Sequence, residues 1–194
     1  MQFRIFDDMA QCSEQEVARL LPLVSEQRCQ QALTYKHVLG QFCCLKSYEM
    51  LMQLLNPSLD TLHSTLYTFL YNEYGQPHLN GGPCFSISHC KHGIAVAVSE
   101  TPIGIDIEHI RTAKPELVAR TMNEQEQNEI WAAASPDIAF TRLWTQKEAV
   151  LKMQGTGIIS IDGIKNTLVA LEHVDLQTKV NLDKQYAYTL ASRL

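Results

Sequence analysis

No stretch of the chain approaches the roughly 18 consecutive apolar residues that a bilayer-crossing helix requires, so no membrane span is expected. The opening residues MQFRIFDDMAQ lack the basic-then-apolar layout of a secretory leader, and a soluble cytoplasmic protein is the expectation. Lys and Arg dominate no window of five residues, and the net charge is −5. Nucleic acid is therefore not an expected partner, although an acidic protein can still hold one basic pocket. None of the six cysteines, at 12, 29, 43, 44, 84 and 90, forms a CxxC pair, and they read as reduced thiols used as small core residues. Internal repeats and low-complexity segments are absent as well.

What is present is enough apolar material for a core: 194 residues, 45% of them hydrophobic. QFRIF at 2–6 alternates like an edge strand, and SEQE at 13–16 is a capping box that opens a helix through about Leu21. A longer helix is expected from about Lys36 to Leu55, stopped by Asn56-Pro57, while residues 62–70 fit strand or short helix equally. Gly75, Pro77, Gly81, Gly82 and Pro83 mark a loop; CFSIS (84–88) and GIAVAVS (93–99) then read as strands joined by HCKH. Pro102 opens a strand over GIDIE, 104–108. Helices are expected near 115–133 and 137–154, with weaker strand signals around 158–171 and 184–192. Helices and short strands mix without a βαβ rhythm, which favours α+β with antiparallel sheets. Ser-Glu-Thr-Pro at 99–102 divides the chain into an N-terminal half, 1–100, and a C-terminal half, 101–194.

The acidic residues inside GIDIE need an explanation. Alternate strand residues share a face, so Ile103, Ile105 and Ile107 point one way and Gly104, Asp106 and Glu108 the other. Two carboxylates held that way can converge on a hard divalent cation, and Gly104 would leave room for a ligand. A half-exposed strand with an acidic solvent face meets the same pattern. In FTRLWTQKEAVLKMQGTG, 140–157, helical geometry brings Trp144, Lys147, Glu148, Leu151 and Lys152 within about 140° of one face. Glu148 could supply a third carboxylate, and Lys147 and Lys152 could neutralise phosphate oxygens. An ordinary Glu-Lys surface helix would look similar. Gly155 and Gly157 end the helix. In FSISHC, 85–90, Phe85 and Ile87 face the core, Ser86 and Ser88 the other side, and His89 stands at the strand end, able to donate to a phosphate or shuttle a proton.

Taken in order, these stretches resemble the 4′-phosphopantetheinyl transferases, in the longer pseudo-dimeric branch that activates synthetases and carrier proteins. YGQPHL (74–79) is similar to the family's Y-G-K-P block, FSISHC to F-N-x-S-H-S, IGIDIEHI (103–110) to G-I-D-I-E, and WTQKEAVLKMQGTGI (144–158) to W-x-x-K-E-A-x-x-K-x-x-G-x-G. The resemblance implies two similar α/β halves related by a pseudo-twofold, with the nucleotide at their junction. It implies transfer of the phosphopantetheine arm of coenzyme A to a serine of an apo acyl or peptidyl carrier protein, with release of adenosine 3′,5′-bisphosphate. Asp106, Glu108 and Glu148 would then hold Mg²⁺, for which Mn²⁺ is a substitute. His89 and Lys152 would contact coenzyme A phosphates, with Trp144 and Lys147 shaping the helix around them, and Glu148, Lys152 and His89 would be the catalytic set. Gly75, Pro77 and Ser88 join the coenzyme-binding residues through their blocks. RCQQALTYKHVLG (28–40) aligns weakly with a basic region that meets the 3′-phosphate, which brings in Lys36, His37 and Arg28, although solvated surface charge is the stronger reading of Arg28. MNEQEQNEI places Glu126 where the family has an acid beside the metal region.

Three positions depart from the resembled blocks: Gln76 replaces Lys, Ser86 replaces Asn, and Cys90 replaces Ser. Arg111, Lys114 and Arg120 are candidate contacts for an acidic carrier helix and are equally plain surface charges. A chain holding both halves of the site is expected to act as a monomer. Two other classes meet parts of the pattern: a metal-dependent phosphodiesterase or nuclease, which the acidic balance and the absence of an aromatic-basic track disfavour, and a non-catalytic carrier-binding module of the same fold.

Overall fold

The apolar-polar alternation of Gln2–Phe6 forms β1, an edge strand as expected. In this computed structural model residues 1–56, 67–157, 161–169 and 171–194 are described. Ser13 caps α1 (Glu14–Leu20) by accepting the Glu16 N–H at 3.2 Å, while the Glu16 carboxylate turns to Arg19. A second helix, α2 (Glu26–Leu33), was not foreseen; Ser25 caps it through the Arg28 N–H at 3.3 Å. Next come α3 (Val38–Leu55) and the two-residue strands β2 (Leu70–Tyr71) and β3 (Pro77–His78). The hairpin of β4 (Cys84–Cys90) and β5 (Gly93–Ser99) follows. Of the ambiguous stretch at 62–70, residues 62–66 lie outside the described residues and Leu70 begins β2. The antiparallel sheet runs β1-β5-β4, and α3 packs on β5.

The second half opens with β6 (Ile103–His109). The single helix expected over 115–133 is two, α4 (Pro115–Thr121) and α5 (Glu124–Ala132). They break at Met122-Asn123 because Asn123 and Glu126 form a complete capping box, which starts a new helix. The long α6 (Pro136–Gln154) ends at Gly155, whose φ of 77° is the left-handed conformation a helix terminus uses. Of the strand expected at 158–171, residues 158–160 and 170 lie outside the described residues, and among the described ones Ile161–Lys165 form a short helix, α7. The strand comes later, as β7 (Val174–Asn181), paired with β8 (Tyr186–Arg193) in a sheet ordered β6-β8-β7. Each half therefore runs strand, helices, hairpin, with the last strand in the middle of its sheet, and the long helix α6 covers β6 and β8 as α3 covers β5.

The two halves share a core. Ala95 and Ala97 of β5 pack in one apolar cluster with Ile103, Ile105 and Ile107 of β6 and Tyr186 and Leu190 of β8. All three isoleucines are buried, and so is Asp106, so β6 is not a half-exposed strand. Gly104 does not make room for a ligand. A Cβ there would stand 1.8 Å from the Ala149 carbonyl oxygen and 2.6 Å from the Met153 nitrogen, so the glycine exists to let the α6 backbone touch β6.

Candidate active site

β4 and β6 lie side by side at the seam between the sheets. The alternation that sends Phe85 into the N-terminal core turns Ser86 and Ser88 toward β6. Ser86 Oγ accepts the Ile105 N–H at 3.0 Å, stitching one strand to the other where no backbone ladder runs. Ser88 Oγ donates to Asp106 Oδ1 at 2.7 Å, and Lys152 Nζ, from the last turn of α6, donates to the same oxygen at 2.7 Å. Asp106 Oδ2 is buried with no hydrogen-bond partner. An ionised oxygen left in that state is costly unless something positive faces it.

Glu108 lies two residues further along the same face of β6. Trp144 Nε1 donates to its Oε1 at 3.3 Å, and Arg111 Nε approaches Oε2 at 3.4 Å while its guanidinium lies over the Trp144 ring, 5.9 Å from the centroid. Burial and the charge of Asp106 push the Glu108 carboxyl up, against the opposing pull of Arg111. Glu148, on α6, is pushed up by the same two causes and by Glu108, against Lys152. Three carboxylates thus press on one another with Lys152 and Arg111 as the nearby cations, which is the electrostatic setting that favours a divalent ion. Among the described residues, however, no three His, Cys, Asp or Glu side chains are grouped closely enough to hold a metal ion between them.

Two pockets flank this cluster. One, of about 280 Å³, brings Lys36, His37 and His89 together with Tyr35, Cys43 and Cys90. The other, of about 190 Å³, is lined by Gly75, Gln76, Pro77, Ser86, Glu148 and Lys152. Lys36 and His37 are exposed at the start of α3. The His89 side chain reaches the surface, yet surrounding bulk first, and then Lys152 and Arg28, hold its imidazole below the ordinary value.

Three residues are not where the sequence placed them. Lys147 does not share the cleft with Lys152: it is fully buried, with Nζ 2.9 Å from Glu126 Oε2 and donating to the carbonyls of Ile164 at 2.8 Å and Lys165 at 2.9 Å. Glu126 Oε2 takes that contact and the Asn123 N–H while its Oε1 is buried without a partner, and these contacts put it at the joint of α5, α6 and α7 rather than in the acidic cluster. Arg28 is neither solvated nor in a pocket; it is buried, donating to the Cys44 carbonyl and Ser47 Oγ, both at 2.9 Å, with its guanidinium over Phe69. Of the carrier-contact candidates, Lys114 and Arg120 are exposed and Arg111 is engaged with Glu108. Sequence reasoning missed Asn72 and Gln76 as structural donors, because their partners are main-chain carbonyls at the far end of α6.

Residues 102–192 match the model of the 4′-phosphopantetheinyl transferase superfamily. The chain is 34% identical over 129 residues to the 4′-phosphopantetheinyl transferase gsp of Aneurinibacillus migulanus, a match covering 64% of this chain and 50% of that protein. To the transferase Sfp of Bacillus subtilis strain 168 it is 29% identical over 124 residues, 61% of this chain and 54% of Sfp. To ffp, another Bacillus subtilis transferase, it is 24% identical over 179 residues, 90% of this chain and 78% of the relative. The chain spans about half the length of the first two of these relatives.

Proposed function

We propose that the chain, whose residues 102–192 match the 4′-phosphopantetheinyl transferase superfamily model, moves the phosphopantetheine arm of coenzyme A onto a serine of an apo carrier protein, releasing adenosine 3′,5′-bisphosphate. The observation that carries this reading is the meeting of Asp106, Ser88 and Lys152 at the β4–β6 seam, flanked by Glu108 and Glu148 and by two pockets. The pocket lined by Gly75, Gln76, Ser86, Glu148 and Lys152 draws on both 1–100 and 101–194, which supports a ligand at their junction and action as a monomer.

Coenzyme A would enter with its charged end against Lys36, His37 and His89, and with Gly75, Pro77 and Ser88 beside the body of the nucleotide. The carrier's serine oxygen forms a bond to the β-phosphorus, and the bond from that phosphorus to the bridging oxygen breaks, the departing nucleotide leaving with the electron pair. The serine proton goes to a carboxylate, Glu148 directly or through a water. Lys152 places a positive charge where negative charge grows. His89, held neutral, donates a hydrogen bond without adding charge. Asp106, Glu108 and Glu148 are the residues that would hold Mg²⁺: the buried, unpartnered Asp106 Oδ2 supports this, and the three side chains would have to draw closer around the ion than they stand here. When bound, the ion would neutralise the diphosphate and the departing phosphate.

Intact-mass measurement tests the proposal: an apo carrier protein, coenzyme A, Mg²⁺ and this protein are incubated and the carrier is weighed. A gain equal to one phosphopantetheine arm is expected. No gain on several carriers, where a control transferase modifies each, overturns the reading.

A further inference from the structure

Asn72 and Gln76 sit in the turn between β2 and β3, in the N-terminal half, yet both reach the C-terminal end of α6. Gln76 Nε2 donates to the main-chain carbonyl of Lys152 at 2.6 Å, and Asn72 Nδ2 donates to that of Gly155 at 2.8 Å. The last carbonyls of a helix have no partner within it, and a helix end fraying into water moves whatever side chains it carries. Here the end is capped by two amides from a segment more than seventy residues earlier in sequence.

The turn that presents them is itself tied down. Asn72 Oδ1 accepts the N–H groups of Tyr74 at 3.0 Å and Gln76 at 2.9 Å. Asn72 also donates its N–H to the Gln76 carbonyl, and Gly75 to the Asn72 carbonyl, both at 3.0 Å, with Gly75 at a φ of 79°. Gly155 lets the two elements approach: a Cβ there would stand 3.1 Å from Gln76 Oε1 and 3.5 Å from Asn72 Nδ2.

We propose that Asn72 and Gln76 are positioning residues that clamp the last turn of α6 and so hold Lys152 on Asp106. The carbonyl Gln76 grips belongs to Lys152, and the same residue's ammonium is the one that reaches Asp106. A neutral amide suits the position. It satisfies the helix end as a donor without adding charge there.

The test has an arm that needs no substrate. Amide hydrogen exchange is followed at Gly155 and Thr156, whose N–H groups close the final turn on Leu151 and Lys152. In Gln76→Ala and Asn72→Ala exchange there should quicken about tenfold, the worth of one lost hydrogen bond, while α3 amides stay as they were. Gln76→Glu, which keeps the shape and removes the donor, should behave like alanine. Unchanged exchange in these variants overturns the clamp. The kinetic arm rests on the proposed transferase reading: Gln76→Ala should lower kcat with KM for coenzyme A unchanged, and the loss should vanish in a Lys152→Ala background. A raised KM with a loss that persists without Lys152 would make Gln76 a coenzyme contact and overturn the positioning role. A wild-type protein that transfers nothing counts against the transferase reading alone, since exchange still decides the clamp.

Discussion

Adding one methyl group at Gly104 is expected to separate α6 from β6. The new Cβ would stand 1.8 Å from the Ala149 carbonyl oxygen, so helix and strand must part by about 1.6 Å to reach ordinary contact at 3.4 Å. The nearest atoms, Ala149 O and C and Met153 N, are all main chain, so no rotamer change relieves the overlap. Overpacking ordinarily costs about 1 to 3 kcal/mol, and with backbone on both sides Gly104→Ala belongs at or above the top of that range. A shift of that size carried along α6 would also stretch the 2.7 Å contact between Lys152 and Asp106 beyond hydrogen-bond length. Urea unfolding measures the first effect, with Gly75→Ala as the comparison. Gly75 has a φ of 79° and nothing within 4 Å of its missing Cβ, so its loss reflects the left-handed backbone alone, about 1 to 2 kcal/mol. A Gly104→Ala protein no less stable than Gly75→Ala would refute the close-approach argument.

Four further outcomes follow from the same geometry. Lys147→Met should destabilise the fold by about 3 to 5 kcal/mol by leaving Glu126 charged and buried, and Lys147→Met/Glu126→Leu should recover part of it; chemical denaturation showing a loss below about 1 kcal/mol in the single variant would remove the buried-pair account. Because the folded state holds His89 below its ordinary value, the unfolded chain binds the proton first, and stability declines as pH falls through the ordinary imidazole value; thermal melts from pH 8 to 5 should show a shallower decline in His89→Gln, and parallel curves would contradict this. Mg²⁺ should raise Tm, with a gain of roughly 2.7 kcal/mol at about a hundred times Kd, and should lose that effect in Asp106→Asn; an equal shift in both proteins would place the ion elsewhere. Lys152→Ala should slow carrier modification by a factor on the order of 10² to 10³, read by intact mass over time, and an unchanged rate would remove Lys152 from the chemistry.

Periodicity was a good guide where one face of an element is buried and the other is not. β4 and α6 were legible for that reason, while β5 was legible as a continuous apolar run buried on both faces. It failed at α2, whose residues EQRCQQAL carry few apolar positions, so that the Ser25 cap was its main signal. It failed again at β7, where VDLQTKVN lies at a sheet edge with most side chains only partly covered. The site divides in the same way. Asp106 and Lys152 could be picked out from strand alternation, helix geometry and ordered blocks, because each lies on a regular element, whereas the Ser88 contact with Asp106 depends on how β4 meets β6. Lys147 shares a broad arc of α6 with Glu148, but which neighbour receives a side chain depends on what packs there, and α5 and α7 occupy that side. Gly104 reads in sequence as ligand space, since a missing side chain looks alike there whether a ligand or a helix backbone fills the gap.

The isoleucines of β6 are covered by alanines of β5 as well as by the neighbouring strand β8, and Tyr186 of β8 donates to Asp7 Oδ2 beyond the end of β1 at 3.0 Å. Rotating one half of the molecule away from the other would wet that interior, so a hinge at residue 100 is closed as a route for molecular traffic. The shared interior ties the two sheets together, so their unfolding should be cooperative.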